Sequence, residues 1–128
     1  MFQRQNQQLI LDRISAVLDA TAETHADSLT ALLDEADRIF IAGAGRSKLV
    51  GNFLAMRLMH AGYDVSVVGE IVTPAIRPGD LLVTISGSGE TEQLIVFTKR
   101  ASALGAKVVL ITTNSRSTIA NLADAVFQ

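Results

Sequence analysis

The chain has 128 residues, 48% of them apolar and 19% charged, the make-up of a globular chain able to bury a sizeable core and not of a disordered one. Its formal net charge is −2, aromatics make up 5% and tryptophan is absent, so it carries neither the basic footprint nor the stacking platforms that nucleic acid requires. With no cysteine, disulfides, thiolate nucleophiles and cysteine-ligated metal centres are excluded.

The opening stretch Met1-Phe2-Gln3-Arg4-Gln5-Asn6-Gln7-Gln8 is too polar for a signal peptide. No apolar run reaches membrane-spanning length, so no membrane association and a cytoplasmic location are expected. Leu9, Ile10, Ile14, Val17 and Leu18 recur at helical spacing, and Leu29, Leu32 and Leu33 repeat the pattern, which predicts N-terminal helices through residue 36. The rhythm then changes. Ile39-Phe40-Ile41-Ala42 is a short apolar run ending in glycines, as a buried parallel strand would. A helix follows over 47–60 with Gly62 as its stop, then a strand over 65–68. Pro78-Gly79-Asp80 turns into a third strand over 81–85. A helix over 91–104 closes at Gly105, a fourth strand covers 108–112, and a short helix covers 117–122. Ala125-Val126-Phe127-Gln128 reads as the start of a fifth strand.

Strands alternating with helices predict an α/β chain: a three-layer, doubly wound parallel sheet of the flavodoxin-like kind with five strands, the last incomplete. The N-terminal helices over 1–36 are expected to serve packing or oligomerisation, and 37–128 to form the α/β domain. Residues 69–80 join the second and third strands without a helix pattern and are a natural place for a functional loop.

Two strand-to-helix junctions carry the chemistry. Ser86-Gly87-Ser88-Gly89-Glu90-Thr91 follows the third strand. Its glycines let backbone N–H groups converge, three hydroxyls add donors, and the helix start adds unpaired amides and the positive end of a dipole. That set suits a dianionic phosphate ester, although a simple Ser/Gly turn with a capping hydroxyl would look similar. The lysine of nucleotide-hydrolysing phosphate loops is missing. Glu90 is repelled by a phosphate, so its carboxylate is expected to point away or to meet a sugar hydroxyl. Gly43-Ala44-Gly45-Arg46-Ser47-Lys48 follows the first strand. It begins like a dinucleotide fingerprint, but Lys48 replaces the third glycine and no acid closes the second strand. A tight turn or a small-ligand loop remains, with Arg46, Ser47 and Lys48 as donors.

His60 reads either as a histidine favoured by the helix C-terminus or as an acid/base group. Glu70, after the second strand, is either a solvated loop carboxylate or an acid/base group. Thr112-Thr113-Asn114-Ser115 falls on the same rim as both glycine loops, where ligands bind in open α/β sheets. It could add hydroxyl contacts or cap the helix at Ser117.

The two loops G-A-G-R-S and S-G-S-G-E-T resemble those of the sugar isomerase (SIS) domain. The stretches Phe53-Leu54-Ala55-Met56-Arg57-Leu58-Met59-His60-Ala61-Gly62 and Val68-Gly69-Glu70-Ile71-Val72-Thr73-Pro74-Ala75-Ile76 are similar to the 6-phospho-3-hexuloisomerase family within it. Arabinose-5-phosphate isomerases share the two loops but carry a histidine-glycine-aspartate stretch after the second strand, absent here. The resemblance implies interconversion of 3-hexulose 6-phosphate and fructose 6-phosphate through a cis-enediol, in formaldehyde assimilation by the ribulose monophosphate route or its reversal. It implies no metal or redox cofactor, a phosphorylated sugar as partner, and a homo-oligomer, dimer or tetramer. Carried over by position, Ser86, Ser88 and Thr91 would bind phosphate with the amides of Gly87 and Gly89. Gly45, Arg46 and Ser47 would line the sugar, and His60 and Glu70 would be the acid/base groups, acting across a subunit boundary if the site is shared. Members of the family run on past the length of this chain and hold a glutamate base there, so a chain truncated at its C-terminus is expected. A non-catalytic SIS sugar-phosphate sensor is the alternative from another class, and a nucleotide-binding domain the third.

Overall fold

The apolar runs at 39–43, 81–85 and 107–111 form the centre of a five-stranded parallel sheet in the computed structural model, which describes residues 23–69 and 75–128. The chain divides into two compact units, residues 1–31 and 32–128. In order, the elements are α1 (Glu23–Glu35), β1 (Ile39–Gly43), α2 (Arg46–His60), β2 (Val65–Val67), β3 (Leu81–Ile85), α3 (Glu92–Ala103), β4 (Lys107–Ile111), α4 (Thr118–Leu122) and β5 (Ala125–Phe127). The helical spacing of Leu9 to Leu18 lies outside the described residues. None of the described helices is long and apolar enough to cross a membrane.

The strand order is β2-β1-β3-β4-β5 with every pair parallel, the flavodoxin-like arrangement expected from the sequence. The chain winds from β1 outward to β2, returns to β3, and then winds the other way through β4 to β5. Right-handed crossovers therefore place α2 on one face and α3 and α4 on the other, giving three layers.

Side-chain alternation sorts the core accordingly. On the α3 and α4 face, Phe40, Leu82, Val108 and Leu110 pack with Leu94, Ala101 and Ile119. On the α2 face, Ile41 and Ile85 receive Gly51, where a Cβ would stand 2.9 Å from a methyl of Ile41. Leu82, Val108, Leu110 and Ile119 have no exposed surface; burying each side chain contributes about 1.5–3 kcal/mol. Because the central strands are covered on both faces, they read as continuous apolar runs without alternation.

The boundaries differ from expectation mainly at the rims. β2 stops at Val67, although Val68 still donates its N–H to Ile41 at 2.8 Å. β4 stops at Ile111, although Thr112 still donates its N–H to the Phe127 carbonyl at 3.0 Å while its hydroxyl turns to the following loop. The fifth strand is present over three residues and pairs with β4.

At the amino edge of the sheet, Asp80 is buried and accepts from Arg38 Nε at 3.2 Å and Nη2 at 2.7 Å, and from the Arg77 amide at 2.8 Å. Arg38 also donates to the Ala75 carbonyl at 2.8 Å. Burial alone would raise the Asp80 pKa, but the Arg38 and Arg77 contacts outweigh it and hold the carboxyl below its ordinary value. This pair ties the end of the β2–β3 connection to the sheet, opposite the functional rim.

Candidate functional site

The sheet register puts Gly43, Ile85 and Ile111 side by side at the carboxyl ends of β1, β3 and β4. Three loops, 44–45, 86–91 and 112–117, therefore leave one rim together. The winding direction reverses between β1 and β3, and open α/β sheets bind ligands at that point.

The loop after β3 closes on itself. Ser86 is buried, and its hydroxyl accepts the Gly89 N–H at 3.0 Å and lies 3.4 Å from the Thr91 hydroxyl. Ser88 is exposed and accepts the Glu90 N–H at 3.1 Å. Gly89 has φ 69°, and a Cβ there would collide with the Ser117 hydroxyl, so no other residue fits this turn without a shift. Thr91 is the N-cap of α3, and its side chain makes no cap hydrogen bond. The first-turn amides of α3 are thus left for an anion at the positive end of the helix.

The loop after β4 braces this turn from behind. Thr112 and Thr113 donate their hydroxyls to the Gly87 carbonyl at 3.1 and 2.8 Å, Asn114 donates its side-chain N–H to the Ser88 carbonyl at 3.1 Å, and the Ile119 amide bonds the Gly89 carbonyl at 3.1 Å. Three successive carbonyls of the glycine loop are therefore turned toward the β4 side. In a trans peptide the N–H of Ser88 points opposite to the Gly87 carbonyl, away from that brace. Of the two readings open for 112–115, neither is the whole story: Ser117 caps α4 through the Ala120 N–H at 3.2 Å, and the residues before it hold the anion loop in shape.

Glu90 is removed from the anion site. Its carboxylate accepts from the Thr118 hydroxyl and the Thr118 amide, each at 2.7 Å, and these bonds lower its pKa. A negative charge at the start of α4 also suits that helix's dipole.

The loop after β1 turns at Gly45, φ 59°, the N-cap of α2. Arg46 is exposed and Ser47 half-buried in the first turn, which holds no acid. Between this loop and the start of α3 lies a cavity of about 380 Å³, lined among others by Gly43, Gly45, Lys48, Gly69, Gln93 and Phe97. Sequence reasoning counted Lys48 among the donors of the β1 loop, though not among the residues carried over to the sugar, and missed Gln93. The signal for Gln93 was its place in the first turn of a helix that starts at the rim.

The structure does not bring His60 to this rim. It is the exposed last residue of α2, a helix that starts at the rim and runs to the opposite edge, so His60 lies about 22 Å along the axis from the loop. Within one chain it does not reach the site. Glu70 lies outside the described residues, although Gly69 before it lines the cavity. Among the described residues no cluster of three or more His, Asp or Glu could hold a metal ion.

The chain is 51% identical over 120 residues to the 3-hexulose-6-phosphate isomerase of Methylomonas aminofaciens, covering 94% of this chain and 66% of the relative. It is 44% identical over 124 residues to that of Mycobacterium gastri, covering 91% and 62%. The chain thus spans somewhat less than two thirds of these curated relatives. Among solved structures, a Methanococcus jannaschii protein described as inferring a 3-hexulose-6-phosphate isomerase function superposes with a TM-score of 0.76 at 39% identity, covering 79% of this chain and 56% of that one. The SIS domain matches residues 32–128, a span that includes every strand of the sheet and all three rim loops. The chain belongs to the SIS domain family.

Proposed function

We propose that this chain is a phosphosugar isomerase that interconverts 3-hexulose 6-phosphate and fructose 6-phosphate through a cis-enediol. The observation that carries the reading is the 51% identity to a 3-hexulose-6-phosphate isomerase across 94% of this chain, together with an anion cradle at the sheet's switch point. In this reading the phosphate is a handle that fixes the sugar over the β1 loop, and binding energy from it is used to orient the reacting carbons. The amides of Gly87 and Ser88, the Ser88 hydroxyl and the start of α3 hold the phosphate, while Gly89, expected from the sequence to add its amide, gives that N–H to Ser86 and shapes the turn instead. Ser86 and Thr91 shape the turn from within and add a hydroxyl each. Gly45, Arg46 and Ser47 line the sugar.

Glu70 and His60 are the proposed proton-transfer groups. The distance of His60 from the rim means that it would serve a site on a second copy of the chain, so the reading includes a homo-oligomer, dimer or tetramer. It also includes a cytoplasmic location and a role in formaldehyde assimilation by the ribulose monophosphate route. The N-terminal segment through residue 36 is proposed to serve packing or assembly. The test is to supply 3-hexulose 6-phosphate and follow fructose 6-phosphate with a coupled dehydrogenase. Turnover supports the isomerase; binding of fructose 6-phosphate without turnover by the full-length form would leave a sugar-phosphate binding module instead.

A further inference from the structure

The cavity between the β1 loop and the start of α3 has two polar side chains, Lys48 and Gln93, in walls otherwise made by glycine, alanine, valine, leucine and phenylalanine. Lys48 is half-buried, and no acidic group of the described residues lies within ion-pair distance of it. It sits in the first turn of α2 beside Arg46, with no acid in that turn. Two cations thus occupy the end of the helix where the dipole disfavours them. An anion inside the cavity would reverse that penalty.

Its position within the rim is specific. Lys48 Nζ stands 3.8 Å from where a Cβ would be on Gly69, just past the end of β2. In the order β2-β1-β3, that is two strand spacings, about 9.5 Å, from the strand that carries the anion loop. A 6-phosphorylated ketohexose has six bonds between phosphorus and C2. With its phosphate on residues 86–91 and its chain laid over the β1 loop, its reacting carbons point toward Lys48.

Building on the isomerase reading, we propose that Lys48 receives the oxyanion of the enediolate. When a base takes the proton from C2 of 3-hexulose 6-phosphate, the C2–H electron pair becomes the C2–C3 double bond. The π pair of the C3 carbonyl moves onto its oxygen, and Lys48 donates an N–H to that oxygen. The hydroxyl proton then passes from O2 to O3, C3 takes up a proton, and the carbonyl reforms at C2 as fructose 6-phosphate. Lys48 ends the cycle with its own protons. The charge it meets exists only once the C–H bond breaks, so the contact favours the transition state over the bound substrate.

The test uses the full chain with Lys48→Met and Lys48→Arg, measuring kcat, KM, and affinity for fructose 6-phosphate and for a phosphorylated hydroxamate that mimics the enediolate. Lys48→Met should lower kcat about 100-fold, the usual scale for losing one oxyanion donor. Its KM and fructose 6-phosphate affinity should stay within about twofold, the pattern of a contact made only in the transition state. Hydroxamate affinity should fall along with kcat, and Lys48→Arg should restore part of both. A rise in KM with kcat intact would overturn the assignment by making Lys48 a ground-state contact. If the full-length form shows no turnover, the isomerase reading fails, and the hydroxamate titration still decides Lys48: equal binding by the unaltered protein and Lys48→Met, or none by either, overturns it.

Discussion

Glu90 grips Thr118 twice, through its amide and its hydroxyl at 2.7 Å each, and so ties the anion loop after β3 to the start of α4. The carboxylate that looks misplaced beside a phosphate is spent on holding the loop still. The bonds favour its charged form and lower its pKa. Their contribution is fully present above the ordinary glutamate pKa of about 4.3 and is lost as pH falls through the lower folded value. Thermal unfolding of Glu90→Gln should lack the part of the acid-side decline that the parent chain shows below about pH 4. Superimposable pH profiles would contradict this.

Gly89→Ala should damage both folding and ligand binding. The added methyl meets the Ser117 hydroxyl, and φ 69° is unfavourable for alanine. Strain of this kind costs about 1–3 kcal/mol. Calorimetry should find a lower Tm, and fructose 6-phosphate affinity should fall at least about tenfold, as 1.4 kcal/mol of lost contact would give.

The serines of the loop should separate by role. Ser86→Ala removes the acceptor of the buried Gly89 N–H and should cost about 1–3 kcal/mol in urea unfolding. Ser88→Ala removes an exposed hydroxyl and should leave stability within about 0.5 kcal/mol, while raising KM. An unchanged KM in both variants would count against the phosphate assignment.

Asp80→Asn probes the opposite edge. Replacing the buried carboxylate that pairs with Arg38 should lower the urea midpoint, with KM unchanged because the pair lies across the sheet from the rim. The wild-type pair stabilises fully above the ordinary aspartate pKa, and its contribution fades as pH falls through the lower folded value. Urea unfolding at two pH values checks both statements.

Mixing His60→Ala with Ser88→Ala tests whether His60 serves a neighbour's site. If it does, subunit exchange should restore activity toward about a quarter of the parent in a dimer, since half the dimers carry one intact site of two. No recovery on mixing the two impaired variants, assayed at substrate well below KM, would remove His60 from the mechanism.

The strands were legible because each central one is buried on both faces and shows as an unbroken apolar run, as in Ile39-Phe40-Ile41-Ala42 and Leu81-Leu82-Val83-Thr84-Ile85. The winding followed from their alternation with helices. The rim was less legible. Thr112 still bonds β5 through its N–H, but its hydroxyl bonds the Gly87 carbonyl, 25 residues away in sequence. Glu90 and Thr118 are 28 apart, and no local pattern links them. The placement of His60 could have been read earlier: a helix that follows a parallel strand ends at the opposite edge, so a residue closing α2 lies far from loops at the strands' carboxyl ends.

The most direct measurement of the central claim follows hydrogen exchange in fructose 6-phosphate incubated with the protein in deuterium oxide. An enediol spanning C2 and C3 predicts deuterium at C3 with 3-hexulose 6-phosphate forming alongside. Deuterium at C1 instead, or neither label nor 3-hexulose 6-phosphate, would contradict the account.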